Sequence, residues 1–368
     1  MSKVLNNVLR VTPSFASYTN PGSGSNAYFH SKYSKYKSYI LTEEKKLDYL
    51  NVNENVKIKT IKTLNNSLGE LGDKKFIFNL FNKFISTCLF TLKSIKFIHS
   101  VKPELVHLYS PIYIFTGLYC KIIFGSKIVM TIHGTDGLRI QNFKFLQLIF
   151  SLTDLNLSLS KKFIENMNRE DILFLGNGFD NSVFYLNERI SRNREKYILT
   201  VGNLRWQKDH LTMIKAFKIF QKNNKDYKLF IIGEGELRNE LENEISKLKL
   251  SENVFLLGKK DQASIAELMN ISEMFFLSSK TEGSPKVIFE AMACGLPILS
   301  TNVGDVKENT CRNSGLIVNN DIDSIAKGLS EIINDRSFDR AFISENIKIK
   351  SWEYVSKNLD KIYERITE

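Results

Sequence analysis

The chain has 368 residues, enough for two or three domains that each bury a core of their own. Hydrophobic residues make up 43% and charged residues 25%, an ordinary globular balance that excludes disorder over any long stretch. The formal charge of +11 is uneven: residues 1–190 carry 24 Lys and Arg against 14 Asp and Glu, residues 191–368 carry 27 against 26. The first half is therefore expected to face something anionic, a membrane surface or a phosphorylated acceptor. Cys88, Cys120, Cys294 and Cys311 have no CxxC spacing and no His at metal-ligand distance, and read as buried free thiols of a reducing compartment. The N-terminus lacks a signal-like apolar region and no run of eighteen uncharged apolar residues occurs. Together these features point to a cytoplasmic protein.

In chain order, Val8–Val11 reads as a first strand, followed by a Pro/Gly/Ser-containing loop over Thr12–Ser25 and then a helix. Lys32-Tyr33-Ser34-Lys35-Tyr36-Lys37 mixes cations with amphipathic rings, either a lipid contact or a solvated helix face. Val56–Ile61, Leu105–Leu108, Lys127–Ile132 and Leu155–Ser158 read as further strands. The apolar-rich stretch from Lys74 to Ser100 reads as a core crossover helix rather than a membrane-surface helix, because its apolar residues wrap widely and a strand follows directly. The polar run Asn187–Lys196 reads as a linker.

Beyond it the alternation is regular. Strands are expected at Tyr197–Gly202, Lys228–Gly233, Val254–Leu257, Met274–Leu277 and Pro297–Ser300. Helices are expected at Leu211–Asn223, Glu236–Leu248, Ala263–Asn270 and Pro285–Ala293. That pattern gives a parallel sheet with helices on both faces, so the chain is α/β with two doubly wound domains, whose ligands gather at strand carboxyl ends.

Two segments carry chemistry. Gly202-Asn203-Leu204-Arg205-Trp206-Gln207-Lys208-Asp209 follows a strand and opens a helix, which places two cations and backbone N–H groups where a diphosphate would be held. Glu282-Gly283-Ser284-Pro285-Lys286-Val287-Ile288-Phe289-Glu290 puts one acid in a loop at a strand's end and another about two turns into the next helix. Each can grip vicinal hydroxyls by charge-assisted hydrogen bonds, and their separation argues against an acid/base pair on one atom.

With their surroundings these segments resemble glycosyltransferase family 4. The resemblance rests on Gly202-Asn203-Leu204-Arg205 with Lys208, Ile231-Ile232-Gly233-Glu234-Gly235, Phe255-Leu256-Leu257-Gly258, Glu282 through Pro297, and Ser300 through Glu308. In the first half, Thr131-Ile132-His133-Gly134-Thr135-Asp136 and Gly176-Asn177-Gly178-Phe179-Asp180 are similar to family segments. The match is specific from about residue 170 to 320 and patchy before. It implies the GT-B fold, two Rossmann-like domains facing a central cleft: an acceptor-side domain over 1–187 and a sugar-nucleotide domain over 188–352. A C-terminal helix over about 353–368 would pack back onto the first domain.

The resemblance also implies roles. Arg205 and Lys208 would hold the donor diphosphate and stabilise the leaving nucleotide. Glu290 would take the ribose hydroxyls and Glu282 the sugar hydroxyls. Backbone of Gly202, Asn203, Gly233, Gly258, Gly283, Ser284, Pro285, Lys286 and Val287 would shape the donor cradle, and His133 would lie near the reacting carbon. The family's paired glycines after the first strand are replaced here by Asn20-Pro21-Gly22-Ser23-Gly24-Ser25, in which Gly22 and Gly24 are the phosphate-loop candidates.

The expected activity is transfer of a sugar from a UDP- or GDP-linked donor, with retention, to a lipid-linked or oligosaccharide acceptor in bacterial cell-surface polysaccharide synthesis (O-antigen, capsule or exopolysaccharide, with lipopolysaccharide among the products). No cofactor or metal is expected, since Arg205 and Lys208 supply the cations and no carboxylate pair has Mg²⁺ spacing. The basic first half is expected at the inner face of the membrane, as a peripheral contact. A sugar-nucleotide epimerase or a non-catalytic sugar-nucleotide-binding protein would use the same fold. The pI of about 9.2 is accompanied by no nucleic-acid reading motif, so nucleic acid is not an expected partner.

Overall fold

The computed structural model describes residues 5–14, 25–43, 54–62, 76–133, 144–192, 194–335 and 337–368. The chain forms two compact units: Met1–Asn177 with Trp352–Glu368, and Gly178–Ser351. The chain thus passes from the first unit to the second at Asn177/Gly178 and returns at Trp352. Residues 187–196 lie inside the second unit, where Asn187 caps a short helix and the chain leads into a strand.

The first unit is a seven-stranded, wholly parallel sheet in the order β3-β2-β1-β4-β5-β6-β7. Its strands are β1 (Asn7–Thr12), β2 (Lys37–Glu43), β3 (Val56–Ile61), β4 (Leu105–Leu108), β5 (Lys127–Ile132), β6 (Leu155–Ser158) and β7 (Ile172–Phe174). Helix α1 (Ser25–Lys32) joins β1 to β2, α2 (Phe76–Val101) joins β3 to β4, and α3 (Ile114–Phe124) joins β4 to β5. A 3-10 segment (Lys144–Leu152) and α4 (Lys161–Met167) follow β5 and β6.

Side chains of a strand alternate between the two faces of its sheet. Leu9, Val11, Val106, Leu108, Ile128 and Met130 point to one face, beneath Phe90 and Ile98 of α2. Val8, Leu105, Val129 and Leu157 point to the other, where the C-terminal helix supplies Leu359 and Tyr363. Arg10 and His107 fall on this second face by the same alternation, and both are fully buried.

The second unit repeats the arrangement in six parallel strands, β10-β9-β8-β11-β12-β13. They are β8 (Tyr197–Val201), β9 (Lys228–Ile232), β10 (Val254–Gly258), β11 (Met274–Leu277), β12 (Ile298–Thr301) and β13 (Gly315–Val318). The helices are α5 (Glu188–Ser191), α6 (His210–Gln221), α7 (Arg238–Lys247), α8 (Gln262–Ile271), α9 (Lys286–Ala293), α10 (Val306–Asn309), α11 (Ile322–Asn334) and α12 (Arg340–Ile347). Helix α13 (Trp352–Thr367) then belongs to the first unit. Ile198, Ile231, Met274 and Phe276 line one face with Phe217 and Leu329 from helices. Leu199, Ile232, Phe275 and Leu277 line the other with Phe289 and Ile343.

Three strands, β2, β7 and β13, were not anticipated from the sequence. The Lys32–Lys37 run is the end of α1 and the entry to β2 rather than one helix face, with Lys35 and Lys37 exposed. Ser34 and Tyr36 are buried. Asp360 of α13 accepts from Ser34 Oγ at 2.8 Å and from the Lys35 backbone N–H at 2.8 Å, and Lys35 is ion-paired with Glu364. Local hydrogen bonding holds α13 with this run; the Tyr36 ring is buried and that of Tyr33 half-buried. Of the four cysteines, Cys120 and Cys294 are buried free thiols, pushed up to about 12 by burial; Cys88 is half-buried and Cys311 exposed.

Candidate functional site

In both sheets the strand order reverses direction beside the first strand of the unit, between β1 and β4 and between β8 and β11. Loops leaving such neighbours diverge to opposite faces and open a crevice beyond their carboxyl ends. In the second unit the two loops concerned are Gly202–Asp209 and Ser278–Pro285, the segments the sequence singles out.

The geometry of the first loop is set by close backbone packing. Gly233 sits at φ +149°, and a Cβ there would lie 1.9 Å from the Gly202 carbonyl oxygen. No side chain is tolerated at that approach, which lets the turn after β8 rest on the end of β9. The Gly233 N–H in turn donates to the Gly258 carbonyl at 2.9 Å, joining the end of β10. Asn203 is exposed and its carbonyl accepts from the Arg205 N–H at 2.8 Å. A 3-10 turn over Trp206–Lys208 follows, with Arg205 exposed at its start. Asp209, at φ +48°, ends that turn and begins α6.

The second loop is tied to the first by several bonds. Ser278 Oγ donates to the Lys208 carbonyl at 2.9 Å, and the Lys280 N–H donates to the Gln207 carbonyl at 2.7 Å. Lys280 also pairs with the buried Asp209 carboxylate at 3.3 Å, which accepts from Asn320 Nδ2 at 3.2 Å. The Lys208 ammonium is ion-paired with Glu282 Oε1, and the same oxygen accepts from Ser279 Oγ at 2.8 Å. Both partners are largely shielded, with side chains 23% and 15% exposed, so the pair is a fixed feature rather than a surface contact. His210 reports the local field: burial and the Lys208 charge push it down to about 4.

Behind Glu282 a third loop closes in. The Gly283 carbonyl accepts from the Asp305 N–H at 3.1 Å. Gly304, at φ +52°, approaches so closely that a Cβ would lie 2.1 Å from that carbonyl. Ser284 and Pro285 then lead into α9, with Pro285 at the cap. Lys286 and Val287 occupy the first two helical positions, whose N–H groups precede any acceptor inside the helix. Glu290 lies one turn after Lys286. Burial raises its carboxyl to about 7, with the Lys286 charge pulling it back and Asp180 adding to the rise. Lys286 is lowered by the same burial, opposed by Glu290.

The structure therefore brings Lys208 and Glu282 into direct contact and sets half-buried Glu290 one helical turn from half-buried Lys286. Ser278, Ser279 and Thr301, which hold the loops in place, are absent from the sequence expectation. Thr301 Oγ1 donates to the Ser279 carbonyl at 2.6 Å. Single hydroxyls after a strand carry no pattern, and only the position of Ser278-Ser279 at the carboxyl end of β11 could have marked them.

In the first unit, His133 directly follows β5 and is half-buried, its ring 6.4 Å from that of Tyr109. Gly22 and Gly24, together with Gly134 and Asp136, lie outside the described residues.

Residues 185–349 match the family model for glycosyl transferases group 1, nearly the whole second unit. The chain is 33% identical over 180 residues to the Escherichia coli UDP-Gal:alpha-D-GlcNAc-diphosphoundecaprenol alpha-1,3-galactosyltransferase, covering 46% of this chain and 45% of that one. It is 28% identical over 272 residues to the Staphylococcus aureus capsular polysaccharide biosynthesis glycosyltransferase CapM, covering 67% and 71%. Among solved structures, Anabaena Alr3699/HepE in complex with UDP and glucose superposes with a TM-score of 0.71 at 16% identity, over 97% of this chain and 98% of that one. That likeness establishes the fold, which is GT-B. The second unit is thus similar to the group 1 glycosyl transferases over nearly its whole length.

Proposed function

We propose that the protein transfers a sugar, with retention of anomeric configuration, from a UDP- or GDP-linked donor to a lipid-linked or saccharide acceptor in bacterial surface-polysaccharide synthesis. The observation that carries this is the lacing of the loops after β8 and β11, which holds Lys208 against Glu282 where the strand order reverses. Relatives named for capsular synthesis and for a diphosphoundecaprenol acceptor support the pathway and acceptor class.

In this reading Lys208 and Arg205 meet the donor diphosphate and stabilise the charge that grows on it as the glycosidic bond breaks. Glu282 anchors Lys208 beforehand, so little reorganisation is needed, and takes sugar hydroxyls. The first-turn amides of α9 supply further N–H donors to anionic oxygen. Glu290, once ionised, accepts the ribose hydroxyls. Departure of the diphosphate and arrival of the acceptor oxygen on the same face, with the acceptor hydroxyl's proton passing to the leaving diphosphate oxygen, give retention without a protein nucleophile. His133 is the first unit's candidate for the reaction, and the basic first half meets the inner face of the membrane.

Incubating the protein with a panel of radiolabelled sugar nucleotides and a bacterial membrane extract tests this. Label is expected in the lipid or saccharide fraction from one or two donors. Interconversion of free sugar nucleotides without transfer would make it an epimerase, and binding without turnover a non-catalytic binder.

A further inference from the structure

Helix α2 is built inside out. A helix lying on a sheet ordinarily buries an apolar stripe and shows water a polar one. In α2 the residues turned inward include Lys83, Ser86, Thr87, Thr91 and Ser94, all buried alongside Phe90 and Ile98. The polar groups among them have partners. Lys83 pairs with Glu43 at 2.9 Å, Thr91 shares a hydrogen bond with Thr116 of α3 at 2.9 Å, and Ser94 Oγ donates to the Phe90 carbonyl at 2.6 Å.

Four large apolar residues, Phe84, Ile85, Leu89 and Leu92, face the other way. Phe84, Leu89 and Leu92 are 49%, 40% and 62% exposed. Ile85, Leu89, Leu92 and Lys96 follow i, i+4, i+7, i+11 spacing, one stripe about 16 Å long. The exposure continues onto the neighbouring elements. Phe115 of α3 meets Phe84 edge-on at 4.9 Å, Ile122 at the end of α3 is 80% exposed, and Leu148 of the 3-10 segment is 68% exposed. Eight of the fifteen large hydrophobic residues exposed among the described residues lie on these three adjacent elements, so the exposure is a patch and not scatter.

We propose that this face of the first unit, α2 with α3 and the 3-10 segment, is the surface on which the protein lies against an anionic lipid bilayer. The choice of occupant follows from charge. From Phe76 to Lys127 the chain carries six lysines and one acid, Glu104; Lys83 is buried against Glu43 and Lys121 pairs with Asp154, which leaves Lys93, Lys96, Lys102 and Lys127 as exposed cations. Exposed Lys93 and Lys96 flank Leu92, so ammonium groups can reach phosphate while the stripe enters the headgroup boundary. A second copy of the chain would have to bring two such cationic faces together. No described helix is long and apolar enough to cross a membrane, so the contact lies along the surface. The proposal deepens the membrane-side acceptor reading above and rests on it only for the reason to be at a membrane.

Vesicle co-sedimentation of the full chain provides the test, with phosphatidylglycerol/phosphatidylcholine and pure phosphatidylcholine vesicles at low and high salt. Wild type is expected on the anionic vesicles, less at high salt, and at least tenfold less on neutral ones. Leu92→Ser/Ile122→Ser and, separately, Lys93→Glu/Lys96→Glu are each expected to lower anionic-vesicle binding at least tenfold. UDP affinity, measured by calorimetry on the same variants, should not move, which separates this surface from the donor site and from the transferase reading. Three results would each overturn the proposal. These are wild-type protein that binds no vesicle, variants that bind like wild type, and a wild-type dimer that light scattering shows to dissociate in Leu92→Ser/Ile122→Ser.

Discussion

The second unit packs the loops beyond its strand ends backbone against backbone, with a shielded ion pair among the side chains that lace them, whereas the first unit buries a polar network on the face of its sheet beneath α13. In the second, Gly233 and Gly304 let three loops stack carbonyl against Cα, and Lys208–Glu282 is the charge placed on that platform. In the first, Arg10 of β1 is fully buried and donates to Ser38 Oγ at 2.5 Å and to the His30 carbonyl at 3.3 Å. His107 of β4 bridges Tyr363 of α13 at 2.5 Å and Thr131 of β5 at 2.7 Å, and His30 joins Tyr109 at 2.7 Å. One strand order thus supports two solutions: a glycine platform fit to receive a charged ligand, and a polar core that fastens a returning helix.

The largest effect should come from that fastening. Trp352 is buried and stacked on Phe29 with ring centroids 5.4 Å apart. Trp352→Ala is expected to destabilise the first unit by about 3–5 kcal/mol, read by chemical denaturation, while UDP affinity persists. An unchanged unfolding midpoint would mean that α13 contributes little and that the contrast is wrongly drawn.

Next come the cations of the second unit. Arg205→Ala and Lys208→Ala should each lower turnover by about 10²–10³ with the fold intact, the equivalent of about 2.7–4 kcal/mol of lost transition-state stabilisation. Near wild-type turnover in both variants would remove the diphosphate role.

The smallest effect separates the units by pH. The Glu290 carboxyl titrates near 7 in the folded chain against 4.5 in the free one. The folded state therefore holds an extra proton between those values, and stability declines as pH rises through that window. Glu290→Gln should leave stability at pH 4 unchanged and raise it at pH 8, by about 1–2 kcal/mol after solvent screening, while weakening UDP binding. Burial, then the Arg10 charge, holds His30 well below its ordinary range; burial, then the neighbouring His30 and Arg10, does the same to His107. Their contribution is present above about 6.5 and lost as pH falls, so His107→Gln should blunt acid sensitivity, the opposite sign to Glu290. Thermal melts across pH would contradict this if both variants shifted in one direction.

The same contrast explains what could be read in the sequence. Strands such as Met274–Leu277 and Lys127–Ile132 declare themselves as short apolar runs, and a glycine or cation at their ends marks the donor loops. Lys208 and Glu282 were visible for that reason. Arg10 and His107 were not, because a buried polar residue inside a strand looks the same in sequence as a solvent-facing one. β2 was hidden by Lys37 and Glu43 at its ends, and β7 and β13 by having three and four residues. Helix α2 reads as a crossover in the sequence, but its wide apolar wrap conceals that Ser and Thr share its inner face with Phe90 and Ile98.

Hydrogen–deuterium exchange with and without UDP measures the central claim most directly, that the donor nucleotide is held at the carboxyl ends of β8 and β11. Protection is expected over residues 202–209 and 284–290, and should vanish in Lys208→Ala. Saturating UDP that leaves both segments unprotected, or that protects only other parts of the chain, would contradict it.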